Sequence, residues 1–449
     1  MSANSRGQWS SQLGFVLAAA GSAIGLGNIW RFPYSAGENG GAAFVLIYLL
    51  CVILLGLPVM LLEISIGRKT EKNPVGAIQA IRPGGAWQSV GYLALITGVG
   101  ILSFYAVIAG QVLAEMVDAA RGLIFGSGAF APFGPTASVG YFAAFLVLTV
   151  LVVAGGVQRG IERWAKILMP LLLLMMVGII IRCLFLPGAM KGVLYLVNPD
   201  FSKITLKVVL DAMAQAFFSL SLGMGAMLTY GSYLSKKQNL VHCAAWVVFF
   251  DTLIALAAGF MIFPAVFALH QQPNGGPALI FKVLPAVFEN MAGGLVIAVI
   301  FFFLLCVAAL TSTVSLLEVV AAYFIDEKGW SRTRTVWLAG LVTFIVGIPS
   351  ALAWVGISPF SSARILGQEG VFALMDFLFV NISLPLGSLA LCVFGAWVWG
   401  LKRAQVEIAE GAPGFQGALA SGWSFFIRWL CPIFIAIILL TRLFPQLGS

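Results

Sequence analysis

An all-α polytopic membrane protein with eleven transmembrane helices is the fold class this sequence predicts, on three observations. Hydrophobic residues make up 61% of its 449 residues, 9% are charged and mean hydropathy is +1.02, where a soluble domain is about 25% charged. Eleven windows offer the roughly 20 apolar residues that a helix needs to cross hydrocarbon. Two of those windows, five apart, are interrupted by glycine. The composition excludes a soluble globular protein, and it is far too apolar for a disordered chain. The net charge of +8 does not suggest nucleic-acid binding, because the basic residues are scattered through predicted loops and form no stripe.

In chain order the windows lie near 11–35, 40–67, 88–121, 138–156, 162–186, 208–235, 240–269, 292–325, 333–352, 369–400 and 424–443. Several exceed the bare minimum, so tilted or extended helices are expected. Only Arg6 precedes the first apolar run as a basic residue, so that run is read as a span rather than a signal peptide. With the N-terminus inside, 16 Lys and Arg fall inside and 8 outside, and Arg31 lies within a span. This excess supports a cytoplasmic N-terminus, and the odd span count then places the C-terminus on the extracytoplasmic side. The short loops and tail suggest a bacterial inner membrane.

Chemistry-bearing motifs are scarce. Cys51, Cys183, Cys243, Cys306, Cys392 and Cys431 sit apart in apolar stretches and read as small buried hydrophobes, without metal-ligand spacing. The two histidines, His242 and His270, lie near segment ends. HExxH and a phosphate loop ending in GK[ST] are absent. The expectation is therefore a protein that is not an enzyme and is not ATP-driven. Asymmetric broken helices also fit a channel poorly, since a channel is built from rings around a pore.

The interrupted windows are the first, with Gly21-Ser-Ala-Ile-Gly-Leu-Gly-Asn28, and the sixth, with Ser219-Leu-Ser-Leu-Gly-Met-Gly225. Each glycine costs a helix interior about 1 kcal/mol. One such cluster reads equally well as close helix packing. Two in corresponding positions point to a transporter of inverted repeats with its site at the breaks. The expected organisation is one transporter domain over 1–449, with a first repeat at 11–186, a second at 208–400 and a separate last helix at 424–443.

The stretch WSSQLGFVLAAAGSAIGLGNIWRFPYSAGENGG, from Trp9 to Gly41, closely resembles the first helix of the neurotransmitter:sodium symporters, the LeuT-like family. The resemblance continues through LEISIGR (Leu62–Arg68), GIERWAKILMP (Gly160–Pro170), AQAFFSLSLGMGAMLTYGSY (Ala214–Tyr233) and AALTSTVSLLE (Ala308–Glu318). That family is also the type case of the broken-helix argument, so the two lines are not independent. It implies the LeuT-like fold, a 5+5 inverted repeat with broken helices 1 and 6, and sodium-coupled symport by alternating access. The chain looks like the eleven-helix subtype, without the twelfth helix of many relatives.

Carried over by position, the resemblance implies two sodium ions. The first would be held by Ala23, Asn28, Ser219 and Asp251, the second by Gly21, Ile24, Ala308, Thr311 and Ser312. Thr311 and Ser312 on their own would read as hydroxyls bonding back to their helix. Asp251 departs from the family pattern, which has Asn there in animal members. Chloride-dependent relatives carry a serine one turn later, where this chain has Ala255, while Tyr48, Gln215 and Ser219 match the other chloride positions. A fixed carboxylate supplies the charge that chloride would bring, so no chloride requirement is expected. A buried carboxylate can also take up a proton when the cation leaves, so proton counter-transport through Asp251 is a secondary expectation.

The substrate site implied comprises Ala23, Gly25, Leu26, Gly27, Ile101, Tyr105, Phe218, Ser221, Met224, Ser312 and Leu316. Amine-transporting relatives carry Asp where this chain has Gly25, so a zwitterion bearing its own carboxylate fits better. No charged side chain lines the site, which disfavours acidic and basic amino acids, and Met224 is adaptable. The expected substrate is a neutral, hydrophobic L-amino acid. The alternative is a symporter of the same fold for an osmolyte, a γ-amino acid or an amine.

Arg31, Asp376, Tyr105 and Phe218 match the extracellular gate, and Arg6, Trp9, Ser232, Tyr233 and Asp326 the intracellular one. Glu63 is expected to accept bonds from broken-helix amides. Glu318 has no role that the sequence supplies, and reads as protonated or facing a water-filled path. Gly160 and Pro170 suggest a fifth helix that unwinds, or simply a proline kink. The expected partners are the small-molecule substrate and the lipid bilayer. No motif encodes an oligomeric state.

Overall fold

The computed structural model describes residues 7–126, 134–273, 281, 284–289 and 293–444. Among them, nine helices are long and apolar enough to cross a bilayer: Ala42–Thr70, Gln88–Phe125, Pro135–Ala154, Val157–Leu184, Leu240–Ala268, Gly294–Lys328, Arg332–Trp354, Val371–Ala409 and Gly417–Leu443. The helices Gln12–Ala23 and Gly27–Glu38 make a tenth span, bent by 50° at its break. The predicted sixth span is split into Leu206–Ser219 and Ala226–Gly231. Each half is too short to cross alone, so among the described residues length and composition identify up to ten crossings and leave the eleventh, at this split segment, unconfirmed.

Side-chain caps fix several helix starts by accepting otherwise unpaired first-turn amides. Ser11 accepts from Gly14, Thr205 from Val208 and Asn239 from His242, at 3.0–3.3 Å. The Gln88–Phe125 helix runs through the middle of the bundle and is mostly buried, whereas Gly417–Leu443 lies at the rim. One hydrophobic core joins Phe15 and Ile29 to Tyr105, Phe217, Ile254 and Leu317. Sequence patterning did not reveal the antiparallel ribbon that pairs Arg364 with Glu369 and Ile365 with Gln368. Its two-residue strands are too short to show a period.

Both glycine-rich interruptions leave the helix. At the first, Ile24 is extended (ψ 109°) and caps the preceding helix through its amide to Ala20. At the second, Ser221, Gly223 and Gly225 take φ of 54°, 81° and 78°, a region that costs residues with a Cβ. A Cβ at Gly223 would also stand 2.8 Å from the Ser388 amide nitrogen. The fifth span, by contrast, is helical throughout the stretch expected to unwind. Val157–Glu162 is a π-helical turn, and Arg163–Leu184 follows with Pro170 inside it.

Candidate functional site

The first break opens onto a narrow pocket lined by Ala23, Gly25, Gly27, Ile101, Tyr105, Phe218, Ser221, Met224, Ser312 and Leu316. Every predicted substrate residue except Leu26 is in that lining. Leu26 contributes its backbone, because its amide donates to the Tyr105 hydroxyl at 2.8 Å. Gly25 is needed for space, since a Cβ there would lie 2.6 Å from the Tyr105 oxygen and would collide with the Ser312 hydroxyl. The walls are apolar apart from hydroxyls, and among the described residues no Asp, Glu, Lys or Arg side chain lines them.

Beside this cavity lies a buried polar knot. Asn28 donates through Nδ2 to Asp251 Oδ1 (2.7 Å), to the Asp251 carbonyl (3.0 Å) and to Ser219 Oγ (3.0 Å). Ser219 Oγ lies 2.9–3.0 Å from both Asp251 carboxylate oxygens, and the Tyr48 hydroxyl lies 3.3 Å from Oδ2. Asn28, Ser219 and Asp251 are essentially inaccessible to solvent. The Asn28 Oδ1 accepts from the Gly25 amide at 3.0 Å, so the knot is tied to the helix break itself. Gln215 donates to the Gly27 carbonyl (2.8 Å) rather than to the carboxylate. Ala255, also buried, stands one turn beyond Asp251.

A second oxygen cluster forms on the other side of the break. Thr311 Oγ1 lies 2.9 Å from the Ala308 carbonyl and 3.5 Å from that of Ile24. Ser312 Oγ lies 3.2–3.4 Å from the carbonyls of Ser22, Ile24 and Ala308. Gly21 packs against the same turn, where its Cβ would lie 3.3 Å from that of Thr311. Hard oxygens from side chains and unwound backbone are the donor type that an alkali cation needs. Both clusters offer them.

Toward the Arg31 end, a wider vestibule is bounded by Arg31, Asp376, Tyr105 and Phe218, among others. Tyr105 and Phe218 line both it and the inner cavity, so they form the wall between the two. The Arg31 guanidinium lies 4.6 Å over the Phe218 ring. Asp376 accepts from Asn381 at 3.2 Å. Among the described residues, no direct ion pair joins Arg31 to Asp376, so the expected pair is an open arrangement across the vestibule.

At the opposite end, Trp9 packs edge-on against Tyr230 and Tyr233 and donates to the Tyr230 carbonyl at 2.9 Å. Ser232 donates to the Thr229 carbonyl (2.6 Å). Asp326 accepts from the backbone and side chain of Asn73 (3.1 and 3.0 Å). Arg6 lies outside the described residues. Glu318, read above as protonated or water-facing, is instead gripped by Arg332 through two bonds of 2.7 and 2.9 Å and by the Tyr233 hydroxyl at 2.7 Å. Its partner could not be found from sequence because Arg332 looked like one more loop charge. Glu63 accepts from the Gly223 amide at 2.7 Å, as expected of a residue supporting the second break. Sequence reasoning missed Ser22, whose hydroxyl meets Ser315 at 2.7 Å and whose carbonyl accepts from Ser221 and Ser312. Its place inside the first glycine cluster was the available signal.

Known proteins resemble this chain along nearly its full length. The family model described as the sodium:neurotransmitter symporter family matches residues 6–121 and 138–446. An uncharacterized sodium-dependent transporter of Bacillus subtilis is 40% identical over 441 residues, covering 96% of this chain and 97% of that protein. One from Haemophilus influenzae is 34% identical over 459 residues, covering 98% of each. The crystal structure of MhsT in complex with L-phenylalanine matches with a TM-score of 0.88 and 41% identity, over 98% of this chain and 100% of that one.

Proposed function

Because the chain belongs to the sodium:neurotransmitter symporter family, we propose that it imports neutral, hydrophobic L-amino acids together with two sodium ions, by alternating access and without chloride. It is an integral membrane protein and a sodium-dependent symporter. The substrate, the stoichiometry, the ion sites and the orientation are our reading of the site.

The observation that carries the reading is the cavity beside the first break. It is apolar, it lacks charged side chains, and at Gly25 it has no side chain of its own. A substrate carboxylate placed there would reach the amides of Leu26 and Gly27 and the Tyr105 hydroxyl. It would also meet the positive end of the helix that resumes at Gly27. Its amine would face the carbonyls of Ala23 and Phe218 and the Ser221 hydroxyl. An acidic or basic substrate side chain would be desolvated against Ile101, Met224 and Leu316 without a partner. The MhsT structure holds L-phenylalanine, a substrate of the class proposed.

The first sodium would sit among the Ala23 carbonyl, Asn28, Ser219 and Asp251. Asn28 now presents its amide nitrogen to Asp251, so ion entry would turn its oxygen inward and release the Gly25 amide. Ion binding is thereby linked to the break that receives the substrate. The second sodium would take the carbonyls of Gly21, Ile24 and Ala308 and the hydroxyls of Thr311 and Ser312. Two sodium ions with a zwitterion carry two positive charges, each gaining about 2.3 kcal/mol per 100 mV, enough to accumulate solute without ATP. Tyr105 and Phe218 would then act as the thin lid, with Arg31 and Asp376 closing above them. Trp9, Ser232, Tyr233 and Asp326 would close the cytoplasmic side.

An equilibrium binding competition on purified protein in sodium buffer tests the substrate class. Leucine, phenylalanine and tryptophan are expected to displace one another. Glutamate, lysine, betaine, γ-aminobutyrate or a monoamine binding more tightly than leucine would overturn it.

A further inference from the structure

At the end of the bundle opposite Arg31, away from both ion clusters, an open groove runs between the Leu401–Ala409 helix and the first half of the last span. Leu401, Lys402, Gln405, Ser424, Arg428 and Trp429 are among its walls. Lys402 and Arg428 are exposed, and among the described residues neither has an acid within ion-pair reach. The nearby acids are already committed. Glu407 is held by Arg68 and Lys236 at 2.8 Å, and Glu410 faces Lys236 at 3.6 Å. Gln405 donates to the Ala420 carbonyl (3.0 Å) and to Ser424 Oγ (2.6 Å), which ties the two walls together.

Arg428 lies in the apolar run FFIRWLCPIF, where a charge is expensive unless it reaches the interface. Phe425 and Trp429 flank it at 55% and 52% exposure, and Trp397 meets Trp429 edge-on at 6.1 Å. Exposed aromatics beside cations that face no acid mark the headgroup level of a bilayer.

We propose that this groove binds the phosphodiester headgroup of an acidic phospholipid in the cytoplasmic leaflet. Lys402 and Arg428 take the phosphate, Ser421 and Ser424 the headgroup hydroxyls, and Phe425 and Trp429 the glycerol and upper acyl chains. The leaflet rests on the orientation proposed above, but the lipid chemistry does not.

Full-length protein, delipidated in detergent and offered phosphatidylglycerol or phosphatidylcholine, tests this by native mass spectrometry and melting temperature. Wild type is expected to retain phosphatidylglycerol roughly ten- to thirty-fold better than phosphatidylcholine, as two interfacial cations allow. The double variant Lys402→Gln/Arg428→Gln should lose that preference. Arg403→Gln, which removes a neighbouring charge outside the groove, should keep it. Equal loss in Arg403→Gln would show general surface charge and overturn the site, as would full retention in the double variant. Inorganic phosphate alone raising the melting temperature as much as phosphatidylglycerol would overturn the lipid assignment. Sodium-dependent substrate binding in detergent is a separate readout, so failure of the transport reading and failure of the lipid site are distinguishable.

Discussion

Replacing Asp251 with Asn tests the proposed coupling most sharply. The carboxylate is wholly buried and meets Asn28 at 2.7 Å, Ser219 at 2.9 Å and Tyr48 at 3.3 Å. With sodium among these groups, the variant removes a unit charge from no more than about 4 Å away. At an effective dielectric of about 20 that attraction is about 4 kcal/mol. Relaxation leaves about 2–4 kcal/mol, a roughly 30- to 1,000-fold rise in the sodium concentration for half-maximal uptake. The assay is a sodium titration of substrate uptake in proteoliposomes, in chloride and in gluconate. Wild type should be indifferent to the anion. Asp251→Asn with Ala255→Ser, which adds the missing hydroxyl one turn on, should regain sodium affinity at least about tenfold in chloride. Proton efflux coupled to uptake, if wild type shows it, should vanish in Asp251→Asn. The reasoning is refuted if wild-type uptake collapses in gluconate, or if Asp251→Asn keeps its sodium dependence.

Further outcomes follow from single contacts. Gly25→Asp fills the space beside Tyr105 and Ser312 and sets a carboxylate against the substrate's own, so amino-acid binding should fall at least about a hundredfold in a radioligand assay. Tyr105→Phe removes the acceptor of the Leu26 amide, and substrate affinity should drop about tenfold by the same assay. Glu63→Ala leaves the Gly223 amide without its partner and should cost about 1.5–3 kcal/mol in stability, read as a lower melting temperature. Glu407→Ala takes the carboxylate from the fully buried Arg68, which keeps only backbone carbonyls, and should cost about 3 kcal/mol by the same measure.

The spans were legible because a bilayer imposes length and apolarity on every crossing helix. All eleven windows fall within several residues of observed helices. The split sixth segment was legible too, since Gly223 and Gly225 take left-handed angles that only a glycine-rich sequence announces. The cavity lining followed from positions matched to a family. Composition alone reads Ile101, Met224 or Leu316 as ordinary core. Long-range polar pairing was hidden. Nothing local links Glu318 to Arg332 and Tyr233, or Arg68 to Glu407 across 339 residues. The distance between Arg31 and Asp376 was equally out of reach, because matching two residues to positions does not set how far apart the fold holds them. The π-helical state of Val157–Glu162 has a similar cause. Gly160 and Pro170 read equally as an unwinding point or a proline kink, and the structure holds the whole stretch as helix.

The central claim is sodium-driven accumulation of a hydrophobic amino acid. Its most direct test is uptake of radiolabelled L-leucine or L-phenylalanine into chloride-free proteoliposomes under an inward sodium gradient with an inside-negative potential. The account predicts accumulation above the external concentration, lost when potassium replaces sodium and increased as the potential is made more negative. Uptake that proceeds equally without sodium, or no uptake of either amino acid while a charged or non-amino-acid solute is concentrated, would contradict it.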